Sequence, residues 1–162
     1  MYLGYQNGKI KFYTEEMLNP NFYQLDKQEY TNKEYVLDGE EYVLKDEAWE
    51  EKQAQAERER IAKLYLTGAD VERGIYQAKG MDFDDIMAFV MAQPPVGLDV
   101  KALKIELKAN HFYRGNPYVD AVGALLGFTS EQLDKFFEDG NYEHLLPVIE
   151  ENSVVEEVGD DV

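Results

Sequence analysis

The chain has 162 residues, a net charge of −17 and no cysteine, and it is 44% hydrophobic and 13% aromatic. Such a length is enough for one domain, or a small domain with an appendage, that buries a real core. The lack of cysteine excludes disulfides, thiolate zinc sites and cysteine nucleophiles. The acidic balance weighs against nucleic-acid and anionic-membrane partners, because phosphate contacts need lysine and arginine.

Residues 1–45 are predicted to form a small antiparallel β-hairpin region. The Asn7-Gly8 dipeptide lies between apolar strands and favours a tight type I′ turn. A second hairpin is predicted around Asp38-Gly39, because nearly identical segments stand on its two sides. The stretch 18–31 has few periodic signals and is predicted to be a loop or a short edge strand. Four short strands of this kind need a partner surface to be stable.

Residues 46–66 are predicted to form one charged connector helix, with Asp46 as its N-cap. Between Trp49 and Ile61 its only apolar residues are two alanines, which is too thin a stripe for burial against a core. We interpret the segment as a solvated helix. A coiled-coil strand is the alternative, which the absence of sustained heptads disfavours.

Residues 67–148 are predicted to be an all-α module with an internal duplication. The unit Gly68–Val90 recurs 47 positions later as Gly115–Phe137. In each copy a patterned helix stops at a glycine, an apolar residue and a capping side chain follow, and a second helix begins. We therefore predict two repeated helical hairpins and a linking helix over 98–110, which makes the whole chain an α+β protein.

Local signals place the ends of these helices. Gly80 and Gly127 suit the left-handed conformation that commonly follows the last turn of a helix. Side chains in capping positions precede each helix, and in the second helix of each copy they have capping-box spacing. The predicted caps are Thr67, Asp82 with Asp85, Asn116 before Pro117, and Thr129 with Gln132.

A helix, a glycine turn and a second helix also occur in DNA-reading proteins. Here the second helices, which start after Asp82 and Thr129, would present mostly carboxylates to phosphate, so DNA reading is disfavoured. Asp82, Asp84 and Asp85 lack the glycine-centred loop of an EF-hand. The dipole of a helix N-terminus explains such carboxylates without a cation. We expect no metal and no other cofactor.

The densest aromatic and polar cluster, residues 110–118, supplies most of the candidate interaction residues. This segment could form a ligand or peptide pocket, but we favour a structural turn whose rings fill the seam between helices. Arg114 lies there among many acids, and we predict that it holds a carboxylate in a defined geometry. No phosphate loop, nucleophile elbow or zinc-protease motif occurs, so we predict no enzymatic activity. The candidates are Arg114, Tyr113, Tyr118, His111 and Trp49.

The end of the chain, residues 149–162, is predicted to be a disordered acidic tail. It holds six acidic residues and no basic residue. Such a composition does not bury enough apolar surface to offset the entropy of ordering.

Four segments spread over most of the chain are distinctive in combination: Tyr2–Ile10, Tyr35–Glu40, Trp49–Lys52 and Phe112–Asn116. Together they resemble small acidic proteins encoded in the tail-gene region of tailed phages and prophages. The resemblance implies a virion-associated or tail-assembly role. It carries over no functional residues.

Two main hypotheses follow, and both are non-enzymatic. In the first, the chain is a phage tail accessory or assembly protein whose N-terminal sheet or acidic tail docks on a tail or fibre component. In the second, it is an acidic inhibitor that occupies a basic groove of a host nuclease or DNA-binding protein. A small regulatory DNA binder is the third and least favoured reading. With no apolar run of about 18 residues, we expect a soluble protein made in the cytoplasm, with incorporation in the virion left open.

Overall fold

The computed structural model of the chain describes residues 1–149 and has an α+β fold, as predicted. The chain divides into two compact units, residues 1–59 and the residues from Arg60 onward. The prediction of an acidic tail over 149–162 lies, except for Ile149, outside the described residues.

The first hairpin of unit one confirms the sequence prediction. Strands β1 (Tyr2–Gln6) and β2 (Lys9–Thr14) are antiparallel, and Gln6 pairs with Lys9. Asn7 and Gly8 both have positive φ, at 54° and 73°, as a type I′ turn requires.

The stretch 18–31 contains both a short edge strand and an unpredicted helix. Strand β3 (Lys27–Tyr30) pairs with β1, which gives the sheet order β2-β1-β3 and confirms the edge-strand alternative. Helix α1 (Pro20–Tyr23) begins after Asn19, whose side chain accepts the N–H groups of Asn21 and Phe22 at 3.0 and 3.3 Å. An asparagine followed by proline is a recognisable start of a helix, and this one was missed.

The second hairpin forms, but its turn is one residue later than predicted. Strands β4 (Tyr35–Asp38) and β5 (Glu41–Leu44) bring Asp38 opposite Glu41, so the two turn residues are Gly39 and Glu40. Of these, only Gly39 has positive φ, at 66°. The positive φ therefore falls on the first central residue, where a type II′ turn places glycine.

This second hairpin packs on one face of the three-stranded sheet. Tyr13, which is opposite Leu3 in the ladder, contacts the rings of Tyr35 and Tyr42 with centroids 5.6 and 6.0 Å apart. Leu3 is thereby almost fully buried. The hairpin β4–β5 therefore closes this face of the sheet.

Helix α2 (Glu47–Ala62) confirms the connector helix but is shorter than predicted. Asp46 accepts the N–H of Trp49 at 2.9 Å and caps the helix, which buries none of its residues. The predicted helix ran to residue 66, whereas Tyr65–Thr67 form a strand, β6. Tyr65–Thr67 leave the helix because pairing with a distant strand is more favourable for them than extending α2. The boundary between the two units falls inside α2.

The partner of β6 is β7 (His111–Tyr113), and the antiparallel pair forms a short ribbon in unit two. Leu66 is opposite Phe112, and both point to the helical core. Neither strand was predicted. The N–H groups of Arg114 and Gly115 extend the pairing by donating to the carbonyls of Leu64 and Ala62 at 2.8 and 3.1 Å.

The predicted helix ends are confirmed. Gly80 and Gly127 are left-handed, with φ of 70° and 80°. Both predicted capping boxes form, Asp82 with Asp85 and Thr129 with Gln132. The helices of unit two are α3 (Gly68–Lys79), α4 (Phe83–Ala92), α5 (Val100–Glu106), α6 (Pro117–Leu125) and α7 (Ser130–Asp139), followed by a 3₁₀ turn at Tyr142–Leu145.

The linking helix α5 is shorter than the predicted span 98–110. Asp99 caps it by accepting the N–H of Ala102 at 3.0 Å, and Leu103 is fully buried in the core. Residues after Leu107 leave the helix because the chain must enter β7 at His111.

The two copies of the repeat share their caps but not their packing. Helix α6 packs on α7, whereas α3 makes its main contacts with the ribbon and the 3₁₀ turn. Gly74 of α3 lies against the Phe136 ring of α7, where a Cβ would stand 2.5 Å from the Cζ atom. The core of unit two thus joins helices from both copies, and its fully buried members include Phe136, Ile86, Leu103, Leu145 and Val90.

The cap of α3 gives a pH-dependent prediction. The Thr67 hydroxyl donates to the Asp70 carboxylate at 2.6 Å; this bond, together with Arg73, lowers the pKa of Asp70. A lowered folded pKa means that the stabilisation is present above the unfolded pKa and is lost as the pH falls through the folded pKa. We expect Asp70→Asn to melt below the wild type at neutral pH, and this difference to disappear as the pH falls through the folded pKa of Asp70. Thermal melts followed by circular dichroism test this, and a difference that persists at the acidic end would contradict it.

Candidate interaction surfaces

Arg114 follows strand β7 and is the buried cation of unit two, with 5% of its surface exposed. Its Nε donates to Asp134 and its Nη1 to Asp120, both at 2.7 Å. Its Nη2 donates to the Ser130 hydroxyl at 2.9 Å. The guanidinium thus links the end of β7 to α6 and α7, and the prediction that it holds a carboxylate is confirmed. Its own direct contact with a partner stays a prediction.

The other candidates of residues 110–118 separate according to strand alternation. Phe112 and Arg114 point inward, while His111 and Tyr113 are exposed on the opposite side of β7. Tyr118 is partly buried and packs against the core. Trp49 is half-buried on α2 in unit one. The structure therefore brings His111 and Tyr113 together on one surface of unit two, while Arg114 and Tyr118 belong to its interior.

A third ring joins His111 and Tyr113, and the three form a surface that we call the aromatic ribbon: Tyr65, His111 and Tyr113. The Tyr65 ring lies 5.4 Å from that of His111 and 5.7 Å from that of Tyr113. Tyr65 and Tyr113 are each more than half exposed. Sequence reasoning missed Tyr65, because its pairing with Tyr113 spans a long stretch of chain.

Unit one carries a larger aromatic surface on the side of the sheet opposite the β4–β5 hairpin. Gly4 allows this side to close, since a Cβ there would lie 2.8 Å from Leu25 Cδ1 and 3.3 Å from Phe12 Cβ. Tyr2, two residues from Gly4 on the same strand face, contacts Tyr30 with ring centroids 5.7 Å apart.

Helix α1 extends this surface outward. The Tyr23 ring lies 5.2 Å from Phe12 and 4.9 Å from Phe22. Phe22 is 77% exposed and Tyr30 is 71% exposed. We name this surface the aromatic face, and it consists of Tyr2, Phe12, Phe22, Tyr23 and Tyr30. Its α1 part could have been found from the Asn19-Pro20 cap signal, but the exposure of its rings could not.

The second unit contains a small apolar cavity of about 40 Å³ among its core side chains. It is lined by residues such as Val71, Leu103, Phe112, Val122 and Phe136. That volume holds about one water molecule, well below the ~300 Å³ or more of a small-molecule pocket. The cavity is a packing feature of the core, and the exposed rings are the stronger candidates for contact with another molecule.

A second, open pocket of about 630 Å³ also lies in unit two, lined by residues that include Lys79, Thr129, Gln132, Lys135 and His144. Within residues 1–149, no three histidine, cysteine, aspartate or glutamate side chains cluster so that they could hold a metal ion. In the same range no helix combines the length and apolarity needed to cross a membrane. Comparisons with protein-family models, curated proteins and solved structures find no match to this chain.

Proposed function

We propose that this chain is a non-enzymatic accessory protein of a phage tail, virion-associated or acting in tail assembly. It acts by protein–protein contact. The aromatic face of unit one docks on a tail or fibre component, and the aromatic ribbon gives unit two a contact surface of its own.

The main support for this proposal is that unit one exposes more large apolar side chains than it buries. Leu3 and Leu25 are its buried hydrophobic residues, across a span that the structure describes completely. Five large hydrophobic side chains of the same unit are exposed: Met17, Phe22, Tyr23, Tyr30 and Leu37. Exposed aromatic rings favour docking, because aromatic anchors supply much of the binding energy of protein interfaces.

The experiment is affinity capture of the tagged chain, expressed in its phage or host background. Proteins that co-purify are identified from the lysate and, separately, from purified particles. Recovery with tail or fibre proteins supports the proposal, and presence in particles separates a virion component from an assembly factor. Specific recovery with enzymes of host metabolism, and with no structural protein, would contradict it.

Phe22→Ala is the variant that tests the aromatic face directly. Because Phe22 is highly exposed, its loss removes contact area for a partner while leaving Leu3 and Leu25 in place. We expect the affinity for the captured partner to fall about tenfold, measured by biolayer interferometry. Leu37→Ala is the matched control, since Leu37 is also exposed but lies on the hairpin β4–β5. Equal affinities of wild type and Phe22→Ala would place the docking surface elsewhere.

An acidic inhibitor of a basic host protein is the second candidate. Unit one has fourteen acidic and seven basic residues, which favours a basic groove as its target. Binding of this kind weakens steeply with salt and does not depend on Phe22. The salt series and the Phe22→Ala variant therefore distinguish the two candidates.

A further inference from the structure

The edge of the aromatic face carries two carboxylates, those of Glu15 and Glu16. Thr14 is opposite Tyr2 in the ladder, so its side chain lies on the same side of the sheet as the aromatic face. The Thr14 hydroxyl accepts the N–H of Glu16 at 3.3 Å, which holds this segment beside the rings. Both glutamates are exposed, and the next residue, Met17, is exposed as well.

Neither of these glutamates has an ion pair within the part of the chain that the structure describes. Five lysines of unit one are paired with other carboxylates. Lys27 pairs with Glu29 at 2.5 Å, and this contact raises the pKa of Lys27 and lowers that of Glu29. The other lysine pairs of unit one are Lys9 with Glu41, Lys11 with Glu40, Lys45 with Glu34 and Lys52 with Asp38.

Charge also indicates which occupant fits the aromatic face. A second copy of this unit would bring a second excess of carboxylates against the first, which is unfavourable. An apolar segment with lysine or arginine at its ends would instead cover the rings and place its cations beside Glu15 and Glu16. Cations are also attracted to the faces of exposed tyrosine and phenylalanine rings.

We infer that the aromatic face binds an apolar segment of a partner protein that is flanked by lysine or arginine. This inference rests on the proposed function, because it states the chemistry of the segment that docks there. Phe22 and Tyr30 contact the apolar part. Glu15 and Glu16 pair with the flanking cations.

The test uses the full chain and two synthetic peptides that share an apolar centre, one flanked by lysines and the other by glutamates. Amide chemical shifts in two-dimensional NMR spectra report both the affinity and the surface. We expect the lysine peptide to shift residues around Phe22 and Tyr30 and to bind about tenfold more tightly than the glutamate peptide at about 50 mM salt. In Glu15→Lys/Glu16→Lys that preference is lost.

Glu47→Lys/Glu50→Lys is the matched control, since it makes the same change in net charge at two exposed glutamates of α2 that form no ion pair among the described residues. This variant is expected to keep a clear preference for the lysine peptide. Equal binding of the two peptides, absence of binding, shifts confined to another surface, or self-association of the chain through these rings would each overturn the inference. If Phe22→Ala still weakens binding of the natural partner about tenfold, the proposed function stands although this inference has failed.

Discussion

Replacing Arg114 with alanine is expected to destabilise the second unit by about 3 kcal/mol, because it removes the cation from a buried ionic cluster. The guanidinium makes bonds to Asp120, Asp134 and Ser130. Without it, Asp134 is left with no counter-ion in a largely covered position, while Asp120 is mostly exposed and regains water. In a domain of this size the melting temperature should fall by roughly 10 to 20 °C.

One further variant separates the geometry of the guanidinium from its charge, and another serves as a control. Arg114→Lys keeps the charge but cannot present the planar fork that reaches both aspartates at once, so an intermediate melting temperature is expected. Arg73→Ala is the control, because Arg73 pairs with Asp70 on an exposed surface and its loss should change the melting temperature little. A melting temperature of Arg114→Ala equal to that of the wild type would show that the cluster does not stabilise the unit.

Features set by neighbouring residues were predictable from the sequence. The caps at Thr67 and Asn116, the left-handed glycines and both capping boxes depend on contacts within a few residues, and all of them form. The Asn7-Gly8 turn is of the same kind, since its backbone needs are local. In each case one short stretch of sequence contains both the capping or turn residue and the backbone groups with which it interacts.

Features set by distant residues were not predictable. Tyr65 pairs with Tyr113, and a strand of three residues gives too little alternation to reveal either partner. The same reason explains why the connector helix was predicted to be too long. The last described element, the 3₁₀ turn at Tyr142–Leu145, was missed because a single buried leucine, Leu145, is its main anchor.

The candidate site shows the same division. The sequence identified Arg114 as a residue that would hold a carboxylate, but it could not select Asp120 and Asp134 among the many acids of the chain. The aromatic face was beyond sequence reasoning, because its rings come to one side of the sheet only when β3 pairs with β1 and Tyr23 of α1 packs on Phe12.

The pairing of β6 with β7 also determines at which residue a stable fragment of the second unit must begin. A fragment of residues 67–162 keeps every helix from α3 onward but lacks Tyr65 and Leu66 of β6 and the turn before them. It loses Leu64 and Leu66 from the edge of the core, and the N–H groups of Arg114 and Gly115 lose their carbonyl partners. We expect this to cost on the order of 4 kcal/mol relative to a fragment of residues 60–162.

Such a loss is a large part of the total stability of a domain, which is about 5 to 15 kcal/mol. The longer fragment also keeps the ion pair of Arg60 with Glu138. It should therefore melt cooperatively within a few degrees of the corresponding transition of the whole chain, whereas the shorter fragment should melt far lower or without a cooperative transition. Circular dichroism of both fragments makes the comparison. If both fragments melted alike, the pairing of β6 with β7 would not be needed for stability, and the helix caps and the helical core would be sufficient.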